Sequence, residues 1–292
     1  SVVVANGKAV FNDVTLAGTS REKYGVYVYG GELYMTNGTL YDISSTAFKV
    51  DTGGYVEAKD ISMKDIAQIG FRADGGKIVA ENVTMENLGS HAIYNMEGDI
   101  TITKATIDGI EKNMLQQKGG TTVLNELDVD KIGNHGAYID LGKVTITDST
   151  IKNMQGNGIY LTKNDNEAIV KNVVLDGVQK QGVNNASKLT IDGLTVRNAA
   201  QNGIFNKEAG TITAEKVVIS DVSEHGINNY NTMTLKDAEI SNTGKGSNGL
   251  QNKGTLTIEE VSVKNSKNHG VYNTGTIKGS ALEIKNVAQN GV

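Results

Sequence analysis

One feature constrains this chain more than any other: a small residue followed by an apolar one returns about every 22 residues from end to end. The pairs are Gly25-Val26, Ala47-Phe48, Gly70-Phe71, Ala92-Ile93, Met114-Leu115, Gly136-Ala137, Gly158-Ile159, Gly182-Val183, Gly203-Ile204, Gly226-Ile227, Gly249-Leu250, Gly270-Val271 and Gly291-Val292. Their spacings run 22, 23, 22, 22, 22, 22, 24, 21, 23, 23, 21 and 21. A fixed period of this size is the mark of a solenoid, in which each unit buries its apolar face only against its neighbours.

Within the period the apolar residues alternate. One unit reads Leu189, Ile191, Leu194, Val196, and the next Ile212, Ala214, Val217, Ile219. Alternation of two is the pattern of a half-buried strand, and the step of three between Ile191 and Leu194 marks a corner. Each unit therefore reads as two or three short strands joined by bends. Two residues after the Val196-type position stand Asp42, Asp65, Asn87, Gly109, Asn153, Gly177, Asn198, Asp221, Asn242, Asn265 and Asn286, residue types that tolerate a left-handed bend. Three residues after the anchor, on the inward side, stand Asn95, Gln117, Asn185, Asn206, Asn229, Asn252 and Asn273, amides able to bond from one coil to the next. A leucine-rich repeat has a similar period, but its return half is helical or extended, whereas here the return is another strand.

The expected fold is all-β: a single right-handed parallel β-helix of 12–13 coils spanning residues 1–292. The anchors "NGI", "HGI" and "HGV", with strands such as Thr255-Leu256-Thr257-Ile258, resemble the parallel β-helix repeats of the pectate-lyase-like superfold from about Ala9 to Val292. That resemblance implies the fold and leaves function open among polysaccharide lyases, glycoside hydrolases, phage tailspikes and bacterial surface adhesins.

Composition narrows the choice. The chain has no Cys, no Pro, a net charge of −5 and three arginines, Arg21, Arg72 and Arg197. There is no basic patch for nucleic acid, no thiolate metal site and no apolar run long enough to insert in a membrane. His91, His135, His225 and His269 all precede an anchor, a slot that Asn or Gln fills in other repeats, so they read as hydrogen-bonding residues beside a bend. None of the hydrolase motifs "NTD", "DD", "GHG" and "RIK" that the resemblance would lead one to seek occurs. Asp108 and Asp130 share one outward column with Lys64 and Lys152, the pattern of a solvated mixed-charge face. The polar stretch Lys163–Glu167, in the 24-residue repeat, lacks the spacing of known calcium loops and reads as a flexible polar loop.

Aromatic residues offer the remaining candidates. Six of the 11 tyrosines precede residue 56. Tyr27, Tyr29 and Tyr34 face outward there, as do Tyr138 and Tyr160 further on, and these five form the candidate ligand-binding set. The function expected on these grounds is a non-enzymatic bacterial surface or secreted adhesin. It would be a monomeric segment of a longer protein without native caps, needing no cofactor or metal and contacting a host glycan, a host protein or an antibody. The alternative is a polysaccharide lyase or glycoside hydrolase acting on an acidic polysaccharide.

Overall fold

The computed structural model describes every residue except 21 and 22, so Arg21 lies outside the described residues. The chain forms two compact units, residues 1–145 and 146–292, built on one plan. Each turn of about 22 residues contributes a short strand and a long one. In the described residues the short strands form a 13-stranded sheet, and there is no helix, as the repeat requires.

In the first unit the short strands run in chain order, Val26–Val28 beside Phe48–Asp51, Phe71–Asp74, Ile93–Asn95, Leu115–Gln117 and Ala137–Ile139. The long strands Gly31–Ile43, Tyr55–Ile66, Lys77–Leu88, Asp99–Ile110 and Thr121–Ile132 form the other sheet. The second unit repeats this with short strands Ile159–Leu161, Val183–Asn185, Ile204–Asn206, Ile227–Asn229, Leu250–Asn252 and Val271–Asn273. Among the described residues the strands pair in parallel and in register, so a strand residue lies beside its counterpart one turn away, as Ile93 does beside Leu115. Between the sheets lie the alternating apolar residues, including a stacked Phe48–Phe71 pair with ring centroids 5.1 Å apart.

Two left-handed residues per turn make the corners, five positions apart. The second is the Asp/Asn/Gly column read from the sequence, with Lys131 completing it at φ 55°. The first lies where the spacing steps from two to three: Gly193 has φ 91°, and Lys104, Glu126, Lys216 and Glu260 adopt the same conformation. These four are not turn-forming types. They are held left-handed by the register of the strands on both sides, at a cost of about 1–2 kcal/mol each. Because the bend falls inside one continuous ladder, the two arms form a single long strand, and the expected two or three strands per turn become one short and one long.

The anchoring small residue has a steric cause. A Cβ at Gly226 would collide with the side chain of Ile240 and stand 2.6 Å from the carbonyl oxygen of Gly249. One position on, the apolar partner turns inward.

The inward amides form the expected ladder in the second unit. Asn185 Nδ2 donates to Asn206 Oδ1 at 2.9 Å, Asn206 to Asn229 at 2.8 Å, Asn229 to Asn252 at 2.7 Å and Asn252 to Asn273 at 2.8 Å. The first four are fully buried. In the first unit Thr122 Oγ1 instead accepts from Asn95 and donates to Gln117. Replacing Asn229 by Leu removes one acceptor of the Asn206 amide and the Asn229 donor to the buried Asn252 side-chain carbonyl. Denaturant unfolding should show a loss of about 1–3 kcal/mol, whereas His225→Asn should leave the midpoint unchanged.

Candidate functional site

Because the interior is filled, chemistry has to come from residues pointing outward or from turns. The outward face of the short strands carries two columns, two and four residues past each anchor. In the first unit the inner column reads Tyr27, Lys49, Arg72, Tyr94, Gln116, Tyr138, and register places each beside the next. The outer column reads Tyr29, Asp51, Asp74, Met96, Lys118, Asp140. Strand alternation turns both columns away from the core, and the 22-residue register brings distant residues side by side.

The result is a compact cluster of titratable groups. Asp51 and Asp74 are register partners, as are Lys49 and Arg72. Lys49 Nζ reaches Asp51 Oδ1 at 2.5 Å and Asp74 Oδ2 at 3.5 Å, so one ammonium group bridges both carboxylates. Arg72 holds Asp74 through Nε at 2.9 Å and 3.0 Å and through Nη2 at 2.9 Å. The Lys49 side chain is only 12% exposed, and those of Asp51 and Asp74 are 27% and 22% exposed. Tyr27 donates its hydroxyl hydrogen to Asp51 Oδ2 at 2.5 Å. That hydrogen bond, helped by burial and by the charge of Asp51, pushes the Tyr27 phenol up to about 12. Burial works against the Arg72 charge, yet the hydrogen bond and charge of Asp74 raise its pKa above the ordinary guanidinium value.

Aromatic rings frame the cluster. Tyr27 packs 5.4 Å from Tyr24 and 5.1 Å from Tyr29, Lys49 lies 4.7 Å from the Tyr27 ring, and Arg72 lies 5.2 Å from that of Tyr94. Further along the same face Lys118 pairs with Asp140 at 3.0 Å and lies 5.5 Å from the Tyr138 ring. This surface brings together two carboxylates, a lysine, an arginine and a phenol, flanked by rings on which a sugar can stack.

The expected tyrosines therefore separate. Tyr27 and Tyr29 join the cluster. Tyr34 lies on the long strand Gly31–Ile43, 5.7 Å from Tyr55, beneath Lys8 and hydrogen-bonded to Glu32, so it belongs to another face. Tyr138 lies along the clustered face in the first unit, and Tyr160 lies on the corresponding face of the second unit. Sequence reasoning found the aromatic column but missed Lys49, Asp51, Arg72 and Asp74. The signal was available: Asp51 and Asp74 stand four residues past successive anchors, and Lys49 and Arg72 two past them.

The histidines behave as bend residues. His91 Nδ1 accepts the Asn113 backbone N–H at 3.3 Å, and His225 Nδ1 accepts that of Asn248 at 2.9 Å. Asn113 Oδ1 does the same for His135 N, and Asn248 Oδ1 for His269 N, so the slot serves one purpose with either residue type. Asp108 and Asp130 are register partners as expected, with Lys131 on Asp108 at 2.9 Å. In the polar loop, Glu167 is paired with Lys188 at 2.6 Å.

The family model described as right handed beta helix region matches residues 50–188 and 134–288. No curated protein matches the sequence. Among solved structures the chain is similar to the AlgE4 A-module of an Azotobacter vinelandii mannuronan C-5 epimerase, at 13% identity and a TM-score of 0.50, with 97% of each chain covered. It is also similar to the AlgE6 A-module of the same organism's mannuronan C-5 epimerase, at 12% identity and a TM-score of 0.44 over 90% of each chain. A third is the catalytic domain of a GH87 alpha-1,3-glucanase, at 10% identity and a TM-score of 0.44, covering 99% of this chain and 61% of that one. The first likeness shows the fold. That structure's name is that of a polysaccharide-acting enzyme, so the comparison runs against the non-enzymatic adhesin expected from the sequence and toward its alternative. The sequence reading weighed histidines in the anchor slot and carboxylates on the long strands, while the clustered carboxylates Asp51 and Asp74 stand on the short strands.

Burial, helped by the charge of Lys112, lowers the pKa of His91 from 6.5 to about 4. The unfolded chain therefore binds a proton at this residue between those values while the folded chain does not, so stability falls as pH drops through that window. His91→Asn, which places in this slot the residue found one turn later, should flatten the decline in thermal midpoint between pH 6.5 and about 4. An equally steep decline in the variant would refute this account of the slot.

Proposed function

The chain belongs to the right-handed β-helix family, and on that premise we propose that it is an enzyme acting on a carboxylate-bearing polysaccharide at the outer face of the short strands of residues 1–145. The observation that carries this reading is the Tyr27–Asp51–Lys49–Asp74–Arg72 cluster. Hydrolysis by a pair of carboxyl groups does not suit it, because Lys49 and Arg72 occupy both carboxylates as ion pairs. Removal of the proton next to a sugar carboxylate suits it better. Lys49 and Arg72 draw charge from the substrate carboxylate and so acidify the neighbouring C–H. Asp51 takes that proton. The electron pair left on carbon forms a C=C bond as the glycosidic C–O bond breaks, and the departing oxygen takes the Tyr27 hydroxyl proton. Asp51 then returns its proton to Tyr27 through their existing hydrogen bond, so the site ends as it began. Tyr29, Tyr94 and Tyr138 supply rings for sugar units along the face. A polymeric substrate places the enzyme's action outside the cell.

The test is incubation with polymannuronate, polygalacturonate and other polyuronates, followed by the absorbance of the conjugated unsaturated product. We expect chain cleavage with a new double bond, and losses of about 10²-fold or more in Tyr27→Phe and Asp51→Asn variants that keep the wild-type circular dichroism. Absence of the unsaturated product from every polyuronate, or full activity in both variants, would overturn the proposal.

A further inference from the structure

The turns between short and long strands vary in length in the second unit, and register fixes by how much. Leu161, Asn185, Asn206 and Asn229 are aligned, as are Glu167, Lys188, Thr211 and Thr232. The intervening turns are therefore 162–166, 186–187, 207–210 and 230–231, or five, two, four and two residues. A two-residue turn made of Ala186 and Ser187 sits between two longer ones, and its small side chains leave a notch. A hollow of about 440 Å³ opens there, within the size range of sugar and small-ligand sites. A second hollow of similar volume adjoins it, sharing Lys163, Ala186 and Ala209.

The lining has a definite chemistry. Tyr160, Phe205 and Tyr230 line the first hollow, with Phe205 and Tyr230 packed edge to face at 5.5 Å. Lys163 and Lys207 also line it, against the single carboxylate of Glu208. Lys207 Nζ lies 4.9 Å from the Tyr160 ring, and among the described residues no carboxylate pairs with Lys163 or Lys207. Lys188, Ser187 and Thr211 continue the polar lining into the second hollow. Rings suit the apolar face of a pyranose, hydroxyls suit its hydroxyls, and unpaired ammonium groups suit a carboxylate.

We propose that this notch is a binding site for an anionic oligosaccharide, separate in its residues from the Tyr27–Asp74 cluster, with Phe205 as the stacking platform and Lys163 and Lys207 as carboxylate ligands. The proposal rests on the polysaccharide reading only for the class of ligand, since no residue of the notch belongs to the cluster. An unpaired lysine over a ring is held in place by the ring and remains able to meet an incoming anion.

Titration calorimetry with tetramannuronate and tetragalacturonate, and with maltotetraose as the neutral counterpart, tests it. At least one acidic tetramer should bind the wild-type chain. Lys163→Ala combined with Lys207→Ala should weaken that binding by about tenfold or more, and Phe205→Ala should weaken it severalfold while Phe205→Tyr restores it. Maltotetraose should bind more weakly than the acidic tetramers and be indifferent to the lysine changes. Tyr27→Phe should lose turnover yet bind the acidic tetramer at the notch as the wild type does, so retained turnover in that variant counts against the catalytic reading alone and lost notch binding counts against this one alone. Absence of binding by both acidic tetramers, or binding untouched by the lysine and Phe205 variants in correctly folded protein, would overturn the proposal.

Discussion

Everything in this molecule depends on parallel, in-register pairing of each turn with the next. The backbone ladder fixes a residue beside its counterpart about 22 positions on, and with it fixes whole columns of side chains. A column is a demanding environment, because whatever stands at one position has its neighbours chosen for it. Apolar residues satisfy the inward columns without further conditions, whereas polar or charged ones have to be answered one turn away. That is why the corners pair Asn with Asp, as Asn87 with Asp65 at 2.8 Å and Asn242 with Asp221 at 2.9 Å. It is also why Lys59 stands beside Glu81 and Lys236 beside Glu259.

The buried amides show the same constraint at its strictest. In the second unit each Asn passes a hydrogen bond to the next and also donates to turn carbonyls, as Asn206 does to those of Gly210 and Thr232. The ladder therefore ties the short strand, the turn and the following strand together at every level. In the first unit Val28, Val50 and Ala73 take that position before Asn95, and the network is local, closed by Thr122 between Asn95 and Gln117. Polar burial is stabilising only when every member has a partner, and the two units meet that condition in different ways.

Most of the fold was legible because it is periodic. The anchors, the inward amides and the second corner column all follow from alignment of one turn on the next, and each stands where that alignment puts it. The first corner was read as a change of spacing; Asn37, Asp60, Asn82, Asp148, Asn172, Gly193 and Asp237 carry a turn signature there, whereas Lys104, Glu126, Lys216 and Glu260 carry none and are bent by their neighbours. The ion-paired cluster was harder to read for a different reason. The column of its carboxylates, Tyr29, Asp51, Asp74, Met96, Lys118 and Asp140, has no single shared residue type, so a search for repeating positions passes over them. Tyr34 was misgrouped with Tyr27 because nearness in sequence is a poor guide here. Seven residues carry the chain from one sheet to the other, while 22 bring it back beside itself.

A solenoid of this kind has little freedom in its strands, because a change in one turn has to be matched by the next. Turn length is less constrained. The five-, two- and four-residue turns around Ala186 leave the register of Leu161, Asn185 and Asn206 intact while altering the surface above them. Relief is thus created without cost to the ladder, and concave sites can be added or removed by inserting or deleting turn residues. The flat face of the first unit takes the other route, keeping its turns short and substituting charged for aromatic residues within the outward columns. Ion pairing across successive turns then concentrates titratable groups that are far apart in sequence, as Lys49 does by bridging Asp51 and Asp74. Both routes exploit the same fact: the backbone is fully satisfied by its neighbours, so outward side chains and turns are free to take on chemistry that the stack itself does not require.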